Sequence, residues 1–106
     1  MPRYLIVAKY TAEGAQGLLD KGGTARRDSV SAMVEKLGGR VDTFDFAFGE
    51  EDVYITAEVP DNATAASIGL TVSASGLTSV RTVVLLTPEE IDAAAQIHPE
   101  YSGPGR

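Results

Sequence analysis

The sequence predicts an α+β domain with a ferredoxin-like β-α-β-β-α-β order, an antiparallel four-stranded sheet and a short C-terminal helix. Three observations predict it. Four β-rich segments alternate with helical stripes in that order, the middle two are joined by a hairpin-length turn, and a capping motif opens one more helix after the last. At 106 residues the chain has the length of a single domain. Residues 1–97 read as that domain and 98–106 as a Pro/Gly-rich tail.

Arg3 to Tyr10 is the first strand, apolar on both faces, with Leu5 and Val7 opposing Tyr4, Ile6 and Ala8. Such a strand must be covered on both sides. Thr11 can cap a short helical turn with Glu13 at its positive end and Leu18 and Leu19 as its anchors. Gly22-Gly23 break the chain, and Thr24 is placed to cap a helix reaching Leu37. Val30, Met33, Val34 and Leu37 form its apolar stripe, and Gly38-Gly39 end it. The second strand, Val41 to Phe48, alternates Phe44, Phe46 and Phe48 against Val41, Thr43, Asp45 and Ala47. Gly49 to Asp52 turns into a third strand, Asp52 to Val59. Asp61 caps a helix whose small-residue face is Ala65, Ile68, Gly69 and Val72. Val80 to Leu86 is the fourth strand. Thr87-Pro88-Glu89-Glu90 is a capping box with proline at the first helical position, and its helix runs through Ala95.

Two helices cover one face of a four-stranded sheet, while the first and fourth strands are apolar on both faces and the second turns three phenylalanines to one side. An uncovered apolar face marks an interface. The expected solution is two sheets stacked across a two-fold axis, giving a homodimer or a multiple of one.

Composition narrows the chemistry. The chain has no cysteine, which excludes disulfides, thiolate catalysis, zinc–thiolate sites and iron–sulfur clusters. A net charge of −6 argues against nucleic-acid and anionic-membrane partners, which require clustered Lys and Arg. Nothing in the first thirty residues reads as a signal peptide, and no stretch approaches the roughly 20 apolar residues of a membrane span. The chain is expected to be soluble and cytoplasmic, with no cofactor and no metal.

Met1-Pro2-Arg3-Tyr4-Leu5, Phe46 to Tyr54, Pro60-Asp61-Asn62 and Val83 to Glu90 together resemble the GYD domain family of small bacterial proteins. Gly49 and Asp52 stand as the frame of that family's Gly-Tyr-Asp signature, with Glu51 where the tyrosine is expected. The resemblance implies the dimeric α+β barrel superfamily. Its members include cofactor-free monooxygenases, haem-degrading enzymes, isomerases, cyclases and amino-acid sensors, so the resemblance selects no reaction.

The residues that can carry chemistry are few. Asp45 and Glu58 are acids inside strands, and His98 is the single histidine; each is a candidate base, against a wet strand end, a salt bridge to Arg40, Arg81 or Lys9, or an exposed tail. Arg26 and Arg27 follow Gly22-Gly23-Thr24 at a helix start, where they could hold a phosphate or carboxylate or pair with Asp28. Tyr10, Phe46 and Tyr54 could line a pocket for a flat apolar ligand, or serve only as core and interface aromatics. Glu50, Glu51 and Asp52 cluster at the hairpin, where they could hold a hard cation such as Mg²⁺ or Ca²⁺ or serve only as charge for solubility, and Asp52 can bond the backbone. Three functions follow: a homo-oligomeric small-ligand binder or sensor, a cofactor-independent enzyme on an aromatic or polyketide-like substrate, or a structural or stress-associated oligomer without pocket chemistry.

Overall fold

The strand with apolar residues on both faces takes the protected place in the sheet. In the computed structural model, which describes residues 1–105, β1 (Arg3–Tyr10) pairs antiparallel on one side with β3 (Val53–Glu58) and on the other with β4 (Thr78–Leu85). β2 (Arg40–Phe46) pairs outside β3, so the sheet order is β2-β3-β1-β4. Helices α1 (Ala12–Lys21) and α2 (Gly23–Lys36) join β1 to β2, α3 (Asn62–Ala74) joins β3 to β4, and α4 (Pro88–Ala95) follows β4. This is the ferredoxin-like α+β fold. No helix among the described residues is long and apolar enough to cross a membrane.

The core lies between the sheet and α2 with α3. Tyr4, Ile6 and Ala8 of β1 and Val53, Ile55 and Ala57 of β3 meet Val30 and Val34 of α2 and Ala65 and Ile68 of α3. Tyr4 is the largest of these side chains and is 1% exposed. A buried phenol needs a partner. Its hydroxyl donates to Asn62 Oδ1 at 2.5 Å, tying the first turn of α3 to the central strand. Asp61 caps the same helix, its carboxylate accepting from the Thr64 N–H at 2.8 Å and the Thr64 hydroxyl at 2.7 Å.

Three sequence expectations change. The first is the β2 alternation. A bulge between Val41 and Thr43 skips Asp42, so Val41 opposes Ala57 while Thr43 opposes Thr56. Val41, Phe44 and Phe46 therefore share the helix side, opposite Ala57, Ile55 and Val53. Phe44 packs on the core with its ring 5.4 Å from that of Phe46, edge to face, and Phe48 lies beyond the strand, fully exposed. The phenylalanines thus do not form the open face. Second, α1 is a ten-residue helix rather than a turn, capped as expected by Thr11, whose hydroxyl accepts from Gly14 N–H. Third, α2 is capped by Gly22 rather than Thr24, because Gly22 takes φ +86°, a left-handed value that a side chain would resist, and joins α1 directly to α2.

The open face divides in two. Its β2–β3 half is polar: Arg40 bridges Asp42 at 3.0 Å and Glu58 at 2.6 Å, and the Thr43 and Thr56 hydroxyls share a hydrogen bond. Its β1–β4 half carries Leu5, Val7, Val83 and Leu85, with Tyr54 of β3 opposite Val7. Beyond β4 the chain leaves the body, and every residue from Leu86 to Ser102 is exposed. The radius of gyration, 16.9 Å, exceeds the roughly 13 Å of a compact chain this long for that reason.

The Tyr4–α3 joint makes stability titrate at both ends of the pH scale. Burial, and secondarily the Asp61 charge, raise the Tyr4 hydroxyl above its ordinary value. Its stabilisation is therefore complete below about pH 10 and is lost as pH rises above that, where the unfolded chain ionises first. The Thr64 hydroxyl and then the Thr64 amide hold Asp61 below its ordinary value, against some desolvation. Its contribution is present above about pH 4 and is lost as pH falls through the folded value. Urea midpoints measured from pH 2 to 11 should fall at both limits. Tyr4→Phe should lower stability at neutral pH by about 1 kcal/mol and flatten the alkaline limb, leaving the acid limb in place.

Candidate functional site

The α1–α2 connection builds a cavity at the end of the sheet where β1 finishes and β4 begins. Thr11 donates from both N–H (3.0 Å) and hydroxyl (3.2 Å) to the Leu77 carbonyl, fastening α1 beside the start of β4. Gly14 allows that approach, since a Cβ there would stand 2.0 Å from the Leu77 oxygen. One turn further on, Gly17 faces open space, with nothing within 4 Å of the position a Cβ would occupy. The space is a cavity of about 220 Å³ bounded by Tyr10, Glu13, Gly14, Gly17, Leu18 and Lys21, then by Gly22, Ala25, Arg26, Ser29, Leu77 and Thr78. Tyr10 and Leu18 also border an adjoining groove of about 350 Å³ floored by Phe46, Ala47 and Phe48.

Arg26 is the charged group built into this wall. Its side chain runs between the cavity and a core void of about 30 Å³ beside Ile6, Ala8 and Val30. Its Nε is sealed from solvent and has no hydrogen-bond partner. A buried N–H without an acceptor is uncommon, because desolvating it costs about 1–3 kcal/mol or more on a charged group. Lys21 adds a second cation to the wall and Glu13 one carboxylate, while Thr78, 5% exposed, and Ser29 add hydroxyls.

The residues singled out by sequence separate into groups. Tyr10 and Arg26 meet at the cavity, and Tyr10 and Phe46 at the adjoining groove. Arg27 points elsewhere and pairs with Asp28 at 3.1 Å on the surface. Tyr54 lies across the sheet on the open face, opposite Asp45 in the β2–β3 register. Glu58 is committed to Arg40 on that same face, and His98 sits exposed in the segment after α4, at φ 49°. No candidate base therefore borders the cavity apart from Glu13, which the sequence reading placed only as a helix-dipole partner. Glu13, Gly14, Gly17, Lys21, Ser29 and Thr78 were not anticipated as site residues. The one local signal for them was the pair of glycines three apart, which leaves one α1 face without side chains.

The hairpin acids diverge. Asp52 turns back to β1, where its Oδ2 accepts from the Tyr10 N–H at 2.8 Å and its own N–H donates to the Ala8 carbonyl at 2.9 Å. Glu51 turns to Arg81, 3.5 Å away. Asp52 thus closes the end of β1 and fixes Tyr10 at the cavity rim.

A ferredoxin-like sheet with a small, partly cationic cavity beneath a two-helix connection defines a class of α+β domain rather than a reaction. The GYD domain family model matches residues 4–95, and the chain belongs to the GYD domain family. No curated protein and no solved structure matches it.

Asp52→Ala leaves the Tyr10 amide without its charged acceptor and should lower stability by about 1.5–3 kcal/mol in urea denaturation. If the acid served only to charge the hairpin, the change would stay within about 0.5 kcal/mol.

Proposed function

We propose that the protein is a homo-oligomeric small-ligand-binding protein whose ligand, an acid on a compact apolar body, enters the cavity under α1 and α2. The guanidinium of Arg26 carries this reading: it stands in the wall with its Nε unbonded, and no ion pair engages it among the described residues. A carboxylate or phosphate oxygen in the cavity supplies an acceptor to that guanidinium through a charge-assisted bond. Lys21 reinforces the sign of the wall, while Tyr10, Leu18 and Leu77 suit an aryl or short acyl group. Assembly of copies is supported by the apolar β1–β4 half of the open face, which no element of the chain covers. A cytoplasmic setting goes with this reading, since a cysteine-free chain needs no oxidising compartment. Nothing in the arrangement favours the enzymatic alternative, because Asp45, Glu58 and His98 stand away from the cavity.

Benzoate is a probe small enough for about 220 Å³. Titrated into the ¹⁵N-labelled protein, it should shift the amides of Gly14, Gly17, Arg26 and Thr78 in the millimolar range, and neutral benzamide should shift them much less. Gly17→Leu, whose side chain enters open space rather than neighbouring atoms, should fold normally and abolish those shifts. Arg26→Gln should erase the difference between benzoate and benzamide. Shifts that persist unchanged in Gly17→Leu, or none in the parent protein, would remove the cavity from consideration.

A further inference from the structure

We infer that the segment following β4 is an exchanged arm, whose helix α4 lies on the β1–β4 half of the open face of a second copy. This rests on the homo-oligomer reading and says how the contact is made. The arm is built as a helix, yet every one of its residues from Leu86 to Ser102 is exposed. Thr87 and Glu90 close a complete capping box, their side chains and backbone N–H groups bonding reciprocally at 3.1 Å, and Pro88 occupies the first turn. Leu86 and Ile91 occupy the two positions of a hydrophobic staple around that cap. Both are about half exposed, and Ile97 and Tyr101 beyond them are more exposed still. An isolated helix of eight residues is marginal in water even with good caps. Its order therefore depends on a surface to cover.

The second copy's open face is that surface by apolarity, charge and area. Leu5, Val83 and Leu85, partly exposed around the buried Val7, offer an apolar strip. Arg3 and Lys9 stand at opposite ends of β1 on this face, and no ion pair engages either among the described residues. The arm helix carries Glu89, Glu90 and Asp92 and no basic residue. An acidic arm lying along this face has a basic side chain available at either end of β1. Two adjacent strands of this length present a footprint of only roughly 250 Å². Stable dimers bury about 800 Å² of accessible surface per partner, and in a two-fold dimer the two arms add their own apolar surface to that of the strips they cover.

Docking on the arm's own sheet is opposed by the linker. Only Leu86 and Thr87 separate β4 from α4. Thr87 is held extended at φ −74° and ψ 159° by the capping box, so folding back would break the cap.

The test places a photo-crosslinking amino acid at position 91 and irradiates a one-to-one mixture of light and isotopically heavy protein. Crosslinks between light and heavy chains, mapping to Arg3–Lys9 or Ser79–Leu85, are expected. Links within one chain, or between two arms, would overturn the proposal. In parallel, Ile91→Asp should raise the dimer dissociation constant at least tenfold by dilution in native mass spectrometry, with an unchanged urea midpoint for the body. A dimer of parental affinity in that variant sinks the arm while sparing the oligomer. A parent protein that is monomeric at every concentration sinks both, and neither result bears on benzoate in the cavity.

Discussion

Tyr4, Ile6 and Ala8 on one side of β1 and Leu5 and Val7 on the other require the strand to be covered twice, and most of the architecture answers that requirement. Placing β1 between β3 and β4 satisfies its backbone on both edges. The helix side is then closed by α2 and α3, and the contacts that hold the layers return to the same strand. Tyr4 reaches Asn62 at one end, and Asp52 accepts from Tyr10 at the other. Val7 shows how far the chain alone can go on the open side. It is 1% exposed, shielded by its sheet neighbours, while Leu5, Val83 and Leu85 remain partly exposed. The unfinished half of the molecule is thus a strip along β1 and β4, and β4 is the strand from which the arm departs.

What could be read from sequence follows the range of the interaction concerned. The caps at Thr11, Asp61 and Thr87 depend on residues three apart and are legible as such. The strand order follows from segment order and loop length. The face of Phe44 and Phe46 was misread because strict alternation carries no information about a bulge, and one skipped residue at Asp42 moves Val41 to the phenylalanine side. Thr24 looked like a cap because it precedes the apolar stripe, but Gly22, with its positive φ, already turns the chain one residue before the helix. The cavity was legible only in part. An arginine in the first turn of a helix is unfavourable against the dipole and calls for a compensating anion, which pointed to Arg26 and Arg27 equally. Asp28 answers Arg27 alone. That Arg26 is the one left without a partner depends on Tyr10, Gly17 and Thr78 meeting around it. Thr78 lies more than fifty positions along the chain from the other three, a separation that no local pattern encodes.

The segments that carry the family resemblance have a common property in the structure: they are joints. Tyr4 and Asn62 meet each other, Asp52 closes β1, and Thr87 with Glu90 opens α4. None of these interactions binds a reacting group. A family defined by such joints shares a scaffold, and its members are free to differ in what the scaffold holds. The place of the expected signature tyrosine makes the point locally. Glu51 occupies it and turns to Arg81, whose strand position opposite Val7 belongs to the open face. Exchanging an aromatic for an acid there alters the open face, by replacing a ring with an ion pair. The wall around Arg26 lies across the sheet and is untouched by that exchange. In the assembly proposed above, the departure from the signature falls on the face offered to a second copy, and the ligand reading stands or falls on Arg26 and the glycine face of α1 alone.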